Sequence, residues 1–160
     1  MKSTKPNSAN DPKPSDARSS DPRLADFLCF AIYSTNLAYG RAYKPLLDEL
    51  GLTYTQYIAI VALWEQDNQT VSGLGEKLFL ESNTLTPILK KLEQGGYIRR
   101  LRDPADERQV RLSLTAAGRR LVEKDPGASL LDATGLGDDF LPVQRTVTKL
   151  RDNLLRATQG

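Results

Sequence analysis

The stretch from Val71 to Thr115 constrains the fold of this 160-residue chain most, because it predicts three elements in a fixed order. The first is a short helix over Val71–Leu80, and Ser82 then supplies a side-chain oxygen suited to capping a second helix. Apolar residues recur at helical spacing in the first helix, namely Val71, Leu74, Leu78 and Phe79. The stretch therefore opens with two helices joined by a very short turn.

The second helix, Ser82–Gln94, has two chemically different faces. Its apolar stripe consists of Leu85, Ile88, Leu89 and Leu92. The rest of its surface offers hydrogen-bonding groups and positive charge, from Asn83, Thr84, Thr86, Lys90 and Lys91. The pair Gly95-Gly96 predicts a left-handed C-cap at the end of the helix. We expect one face to be buried and the other to meet a partner.

A charged hairpin is predicted after this helix, with the turn at Asp103-Pro104. Its strand residues are Tyr97, Ile98 and Leu101 before the turn and Val110, Leu112 and Leu114 after it. Between Lys90 and Arg111 there are seven Lys or Arg against four Asp or Glu, a balance that attracts a phosphate backbone. A short helix, a capped polar helix and a basic hairpin form a winged helix-turn-helix, which sends side chains to the base edges of DNA.

The rest of the chain predicts a mainly α-helical protein whose only sheet is the two-stranded wing. Residues 1–20 contain no large apolar residue after Met1, so we expect a disordered tail. A long first helix should begin at Asp21-Pro22 and end at Pro45, since the residue before a proline is disfavoured in a helix.

Three further helices are expected. Thr53 should cap a buried central helix, whose apolar residues are Tyr57, Ile58, Ile60, Val61, Leu63 and Trp64. A loop over Gln66–Gln69 should follow it. Thr115 should cap a helix that ends near Lys124, where Asp125-Pro126-Gly127 interrupts it. The last helix should run from about Asp138 to Arg156.

We assign residues 21–160 to one domain with a DNA-binding core over about residues 53–121. The helices over residues 21–50 and 138–157 carry more apolar side chains than one small domain needs. They would pair with a second copy of the chain or close the core of their own subunit, and the sequence favours neither arrangement.

The composition excludes much enzyme chemistry. The chain has no histidine and a single cysteine, which excludes His-based triads, His-ligated zinc and an intramolecular disulfide. The formal net charge of +2 does not by itself indicate nucleic-acid binding. No stretch approaches the roughly 18 consecutive apolar residues of a membrane span, and the N-terminus has no apolar signal region. We expect a cytoplasmic protein that is not an enzyme and needs no metal, cofactor or membrane.

Cys29 is expected two turns into the first helix, with Tyr33 one turn further along the same face. One interpretation is an inert, buried side chain, the usual state of a lone cysteine. The other is a reactive thiolate, because a helix N-terminus favours negative charge and nearby tyrosines can donate hydrogen bonds. Tyr43 lies ~21 Å further along the helix axis, so only an antiparallel second copy would bring it to Cys29.

Three segments resemble the MarR family of transcriptional repressors, and specifically its organic-hydroperoxide-sensing, one-cysteine branch. They are LCFAIYSTNLAYGRAYKPLLDELGLTYTQY, LGEKLFLESNTLTPILKKLEQGGYI and RDPADERQVRLSLT. The resemblance covers about Leu24 to Leu121. Cys29 stands where that branch carries its peroxide-reactive cysteine. Four residues match the wing signature of the family, namely Asp106, Arg108, Leu114 and Thr115.

The resemblance implies a homodimer, joined through its terminal helices, that binds an inverted repeat in double-stranded DNA. It implies that Tyr43 and Tyr54 hydrogen-bond the sulfur of Cys29 across the dimer, with Tyr33 close by. Arg108 of the wing would enter the minor groove, and Asp106 would hold the wing in shape. The residues in or over the major groove would be Ser82, Asn83, Thr84, Thr86, Pro87, Lys90 and Lys91.

The function implied is that of a repressor that releases its palindromic operator when an organic hydroperoxide oxidises Cys29. Four apolar residues are expected to form a pocket for the peroxide, namely Phe27, Phe30, Ile32 and Trp64. With no second cysteine, oxidised Cys29 would react with a small thiol, cyclise to a sulfenamide or go on to sulfinic acid. The alternative is a repressor of the same family that a small phenolic or anionic ligand releases, with Cys29 inert. A third hypothesis is that the protein is a thiol peroxidase. The lack of histidine and of a resolving cysteine disfavours it.

Overall fold

The computed structural model describes residues 23–158. The chain forms two compact units, one up to Tyr39 and the other from Gly40 onward. The predicted disordered tail over residues 1–20 and the helix start at Asp21-Pro22 lie outside the described residues.

The first unit contains one short 3-10 turn and the beginning of the first long helix among its described residues. The turn spans Leu24–Asp26, and helix α1, Leu28–Asp48, follows it and continues into the second unit. Phe27 separates the two, since its backbone is extended with φ −93° and ψ 113°. The helix therefore begins later than the sequence predicted.

The predicted end of this helix at Pro45 was wrong, because α1 passes through that residue. A proline removes the hydrogen bond to the carbonyl four residues earlier, here that of Arg41, which is exposed and can be hydrated. Two residues after Pro45, Leu47 is buried in the core and holds the end of the helix. The chain then turns at Gly51 with φ 65°, and Leu52 donates its N–H to the carbonyl of Leu47 at 3.0 Å.

Helix α2, Tyr54–Glu65, is the buried central helix that the sequence predicted. The hydroxyl oxygen of Thr53 accepts the N–H of Gln56 at 3.3 Å, and the Gln56 side chain accepts the N–H of Thr53 at 2.8 Å. This capping box satisfies two backbone donors at the helix start. Trp64 departs from the prediction, because it is 40% exposed. The buried residues of α2 are Gln56, Tyr57, Ala59, Ile60, Ala62 and Leu63.

Two helices, α3 (Val71–Leu78) and α4 (Ser82–Gln94), form the predicted helix-turn-helix. A Cβ atom at Gly75 would lie 2.7 Å from the carbonyl oxygen of Leu80, so a glycine allows the turn to pass close to α3. Phe79 was predicted on the apolar stripe of α3, but it adopts a left-handed conformation with φ 57° and is exposed. The turn needs that conformation and directs the ring away from the core.

The start of α4 differs from the prediction by one residue. Glu81 rather than Ser82 is the N-cap, and its carbonyl accepts the N–H of Leu85 at 2.9 Å, so Ser82 is already helical. The predicted left-handed end is confirmed at Gly96, where φ is 76°. The residue after it donates its N–H to the carbonyl of Leu92 at 3.0 Å, which closes a Schellman motif.

The sheet has three antiparallel strands rather than the predicted two. Its strands are β1 (Gln69–Thr70), β2 (Ile98–Arg102) and β3 (Val110–Leu114), in the order β1-β3-β2. Gln69 pairs with Leu112, so a segment that the sequence predicted as loop becomes an edge strand. A strand of two residues is too short to show the alternation of apolar and polar residues that indicates a strand. Its partner, β3, lies more than forty positions away, so the local sequence does not indicate the pairing.

The two helices predicted after the wing are present, and a short helix, Ala128–Ala133, lies between them. Thr115 caps the first of them by accepting the N–H of Gly118 at 3.2 Å, as expected. Asp125 has a positive φ of 41° and interrupts the chain where Asp125-Pro126-Gly127 was expected to do so. The elements are α5 (Ala116–Glu123), α6 (Ala128–Ala133), a 3-10 turn (Gly137–Asp139) and α7 (Phe140–Thr158).

Candidate nucleic-acid interface and cysteine site

The polar face of α4 is exposed along its whole length. Its apolar face holds the helix in place, since Leu85, Leu89 and Leu92 are fully buried. The seven α4 residues for which the family resemblance implies DNA contacts are all exposed, namely Ser82, Asn83, Thr84, Thr86, Pro87, Lys90 and Lys91. The helix therefore presents hydroxyl, amide and ammonium groups on one accessible surface.

The first turn of α4 is shaped by side chains that bond to its own backbone. Asn83 accepts the N–H of Thr84 on its Oδ1 at 2.7 Å, and Thr86 donates its hydroxyl to the carbonyl of Ser82 at 2.7 Å. Pro87 cannot donate to the carbonyl of Asn83, which is exposed and available to solvent. The start of the helix is thus polar, and the carbonyl of Asn83 lacks its usual hydrogen bond within the helix.

The wing between β2 and β3 is anchored at its base by Asp103, a role that the sequence analysis missed. Its carboxylate accepts the N–H of Ala105 at 2.9 Å and the Nε–H of Arg111 at 2.7 Å. These two bonds, in that order of importance, hold the pKa of Asp103 below its usual range. Arg111 also donates from Nη1 to the carbonyl of Asn68 at 3.2 Å, which joins the wing to the segment before β1.

Asp106 lies at the tip of the wing, and its side chain is hydrogen-bonded to neighbouring residues of the tip. Its Oδ1 accepts the N–H of Arg108 at 3.1 Å, and its Oδ2 accepts a hydrogen bond from the Gln109 side chain at 3.2 Å. The carbonyl of Asp106 accepts the N–H of Gln109 at 2.8 Å. The side chain of Arg108 is exposed. Bonds from Asp106 to neighbouring backbone therefore shape the tip from which the Arg108 side chain extends.

Asp67 ties the loop after α2 to the sheet and to α5, and it too was missed. Its carboxylate accepts the N–H of Leu114 at 2.9 Å and is paired with Arg119. An Asp in a short polar loop gives no signal of a partner 52 positions away. Asp103 and Asp67 thus hold the wing, the loop after α2 and α5 to the two ends of β3.

Cys29 is the second residue of α1 and is exposed, rather than two turns into a helix. The difference follows from the later start of α1. Cys29 and Tyr33 both line a shallow, open apolar groove of the first unit. The remaining lining residues are Leu24, Phe27 and Phe30. Of the residues predicted to form a peroxide pocket, Phe27 and Phe30 therefore line the groove, and Ile32 does not.

Three tyrosines form a cluster in the second unit. The ring centroid of Tyr43 lies 5.0 Å from that of Tyr54 and 6.0 Å from that of Tyr57. Burial raises the pKa of Tyr57, and the carboxylate of Asp125 raises it further. The structure thus brings Tyr43 and Tyr54 together in one group and Cys29 with Tyr33 in another.

The terminal helices expose many large apolar side chains. In the first unit these are Leu24, Phe27, Leu28, Ile32, Tyr33, Leu37 and Tyr39. In α7 they are Leu141, Val143, Val147 and Leu154. Exposed apolar faces of this extent mark surfaces that contact another molecule.

Residues 23–158 contain no group of three side chains suited to holding a metal ion. None of the helices within this range combines the length and the apolar character that crossing a bilayer requires.

A winged helix with an exposed polar helix and a charged hairpin defines a class of DNA-binding transcription regulators, and comparison with known proteins identifies the family. The family model described as transcriptional regulator SarA/Rot matches residues 41–124. The organic hydroperoxide resistance transcriptional regulator of Bacillus subtilis (strain 168) is 42% identical over 135 residues, covering 82% of this chain and 92% of the relative. The chain belongs to the MarR family of transcriptional regulators, among relatives of the SarA/Rot and organic hydroperoxide resistance regulators.

Two solved structures show the same fold. Reduced AbfR bound to DNA has a TM-score of 0.65 and 36% identity, covering 79% of this chain and 94% of that one. Overoxidized AbfR bound to DNA has a TM-score of 0.67 and 34% identity, covering 82% and 94%. These similar proteins are transcriptional regulators and not enzymes, so the family and the non-enzymatic class predicted from the sequence are confirmed.

Proposed function

We propose that this protein is a homodimeric, cytoplasmic repressor that releases an inverted-repeat operator when an organic hydroperoxide oxidises Cys29. The observation that carries the proposal is the exposed Cys29 thiol in an apolar groove beside Tyr33. An apolar groove favours an alkyl or aryl peroxide over hydrogen peroxide, because only the former has apolar surface to bury.

The exposed face of α4 and the wing supply the proposed DNA contacts. Ser82, Asn83, Thr84, Thr86 and Pro87 at the start of α4 would meet base edges in the major groove. In the same groove, phosphates would pair with Lys90 and Lys91. The wing would place Arg108 in the minor groove, with Asp106 holding the backbone of the tip. Similarity to AbfR, which has been crystallised on DNA, supports this arrangement.

The exposed apolar faces of the first unit and of α7 support a homodimer. A second copy of the chain is the proposed occupant, since a dimer gives two reading helices for the two halves of an inverted repeat. In that dimer the partner subunit's Tyr43 and Tyr54 would donate hydrogen bonds to the Cys29 thiolate. Tyr33 would close the site from the same subunit.

The proposed chemistry begins with attack of the Cys29 thiolate on one peroxide oxygen. The S–O bond forms as the O–O bond breaks, and the departing alkoxide takes up a proton to leave as an alcohol. The sulfenic acid then reacts with a small thiol, which forms an S–S bond and releases water. The chain has no second cysteine that could compete with the small thiol for the sulfenic acid.

The proposal assigns release of DNA to the bulk of this mixed disulfide. AbfR has been crystallised on DNA in an overoxidized form, which argues against added oxygen atoms alone as the trigger. A thiol adduct in the groove would separate the first helices of the two subunits and change the spacing of the two α4 helices. Oxidation without a small thiol should therefore release the operator less completely.

A second candidate function, release by a small anionic ligand, is favoured by a cavity in the second unit. The cavity has a volume of about 270 Å³ and apolar walls that include Leu46, Leu50 and Tyr97. Its charged lining residues are two cations, Arg120 and Lys124, and one carboxylate, Glu49. An aromatic carboxylate such as salicylate fits this combination of surfaces. Titration of the operator complex with salicylate distinguishes the two functions, because the redox proposal predicts no release by it.

The redox proposal is tested by intact-mass measurement paired with a gel shift on DNA from upstream of the protein's own gene. Samples receive cumene hydroperoxide with and without a small thiol. The expected result is that loss of the shifted band follows the appearance of a one-thiol adduct on Cys29. Loss of the band at unchanged protein mass would overturn the proposal.

A further inference from the structure

Gly127 lies against the hydroxyl of Tyr43 in the second unit. A Cβ atom at position 127 would lie 2.9 Å from the Tyr43 Oη and 3.5 Å from its Cε1. The first distance is too short for a carbon–oxygen contact, and the second is an ordinary one. The backbone of Gly127, with φ −86° and ψ −12°, is open to any residue. The backbone of residue 127 would therefore accept a side chain, but the Tyr43 hydroxyl would have to move to make room for it.

The ring of Tyr43 is also held by its aromatic neighbours. Tyr54 lies 5.0 Å away and Tyr57 lies 6.0 Å away between ring centroids, and Tyr57 is buried. Asp125, in the same segment as Gly127, is close enough to Tyr57 for its carboxylate to raise the pKa of that tyrosine. The segment Asp125–Gly127 therefore lies beside the tyrosine cluster, and it limits where the Tyr43 hydroxyl can be.

We propose that Gly127 is a positioning residue that leaves the space in which the Tyr43 hydroxyl reaches the partner subunit's Cys29. This inference rests on the proposed function, in which Tyr43 donates a hydrogen bond to the thiolate. Gly127 would touch neither sulfur nor peroxide and would act only through Tyr43. The segment after α5, which connects the DNA-reading core to the C-terminal helices, would thus take part in setting the rate of peroxide sensing.

The first test is the Gly127→Ala variant. Because the atom it meets is at the end of a side chain, the hydroxyl should shift by a few tenths of an ångström and the fold should be kept. We expect Cys29 oxidation by cumene hydroperoxide to slow about 3- to 10-fold, since small displacements of reacting groups are costly. Operator affinity of the reduced protein should not change.

The matched control is Ser129→Ala, which changes an exposed residue of α6 two positions after Gly127. This variant should be oxidised at the wild-type rate. A Gly127→Ala protein that is also oxidised at the wild-type rate would overturn the inference.

The second test is a double variant, which separates positioning from a structural effect. Tyr43→Phe should slow oxidation about tenfold through loss of one hydrogen bond to a charged group. Adding Gly127→Ala to Tyr43→Phe should have no further effect, because the atom that the methyl group displaces is gone. A further slowing would overturn the positioning role.

The outcomes distinguish the inference from the function on which it rests. If Tyr43→Phe is slow and Gly127→Ala is not, only the role of Gly127 fails. If Tyr43→Phe is oxidised at the wild-type rate, both the tyrosine contact and the role of Gly127 fail, whereas the redox function of Cys29 is judged by the operator assay alone.

Discussion

Asp103 accepts a hydrogen bond from Arg111 Nε at 2.7 Å, and this pair joins the two ends of the wing hairpin. The carboxylate is buried and also accepts the N–H of Ala105 at 2.9 Å. Arg111 reaches on to the carbonyl of Asn68. One buried carboxylate therefore sets the base of the hairpin from which Arg108 extends, and it connects the wing to the edge of the sheet.

The Asp103→Asn variant should lose stability at neutral pH and much less in acid. Hydrogen bonds from Ala105 and then Arg111 lower the pKa of the carboxyl in the folded state. Such a group stabilises the fold above its unfolded pKa of about 4, and this stabilisation is lost as the pH falls through the lower folded value. Urea denaturation at pH 7 and pH 3 should show a difference from the wild type that shrinks at pH 3. Glu107→Gln, at an exposed wing position, is the control, and an equal difference at both pH values would contradict the account.

The Gly118→Ala variant should be strongly destabilised. Its added Cβ atom would clash with the carbonyl oxygen of Tyr97 and would lie 2.9 Å from a methyl group of Leu114. Because the first of these atoms belongs to the backbone, α5 would have to move away from the sheet. We expect a loss of roughly 1–3 kcal/mol in the free energy of unfolding, measured with urea. Gly40→Ala, with open space around it, should be neutral or slightly stabilised.

Local signals predicted the ends of several elements correctly. Thr53 and Thr115 each cap a helix, because a hydroxyl oxygen can accept an N–H within three residues. Gly96 ends α4, since a positive φ favours glycine. The three α4 leucines that are fully buried were also predicted, because their spacing follows the helical period.

Features that depend on distant partners could not be predicted. The strand Gln69–Thr70 exists only because β3 is available to pair with it. The pair of Asp103 with Arg111, and that of Asp67 with Arg119, join residues whose proximity is set by the completed sheet. Helix α1 continues past Pro45, where the sequence predicted its end. Burial of Leu47 in the core outweighs the loss of one backbone hydrogen bond at the proline. The later start of α1 also moved Cys29 into its first turn.

Lys90→Ala should weaken operator binding in a salt-dependent way. If the exposed ammonium group of Lys90 pairs with a phosphate, its removal should reduce the slope of log K against log salt by about 0.9. Fluorescence anisotropy at several salt concentrations measures this slope. Lys149→Ala, which removes an exposed lysine from α7, should leave it unchanged. A change of the same size in both variants would argue against the proposed DNA surface.

Val147→Glu should weaken or abolish the proposed dimer. Val147 is exposed on the apolar face of α7, and a buried, unpaired carboxylate at an interface is costly. Sedimentation velocity should show a dimer for the wild type and a monomer for the variant at micromolar concentration. Thr148→Glu places the same charge about 100° around the helix, and it should remain dimeric. A dimeric Val147→Glu protein would exclude this face of α7 from the interface.

The central claim is that oxidation of Cys29 releases the operator, and the Cys29→Ser variant tests it most directly. Serine keeps the size of the side chain and removes the nucleophilic sulfur. A gel shift with wild type and variant is run in cumene hydroperoxide and a small thiol. The account predicts that both proteins bind the operator when untreated, and that only the wild type releases it on treatment. A Cys29→Ser protein that is released as readily as the wild type would contradict the account.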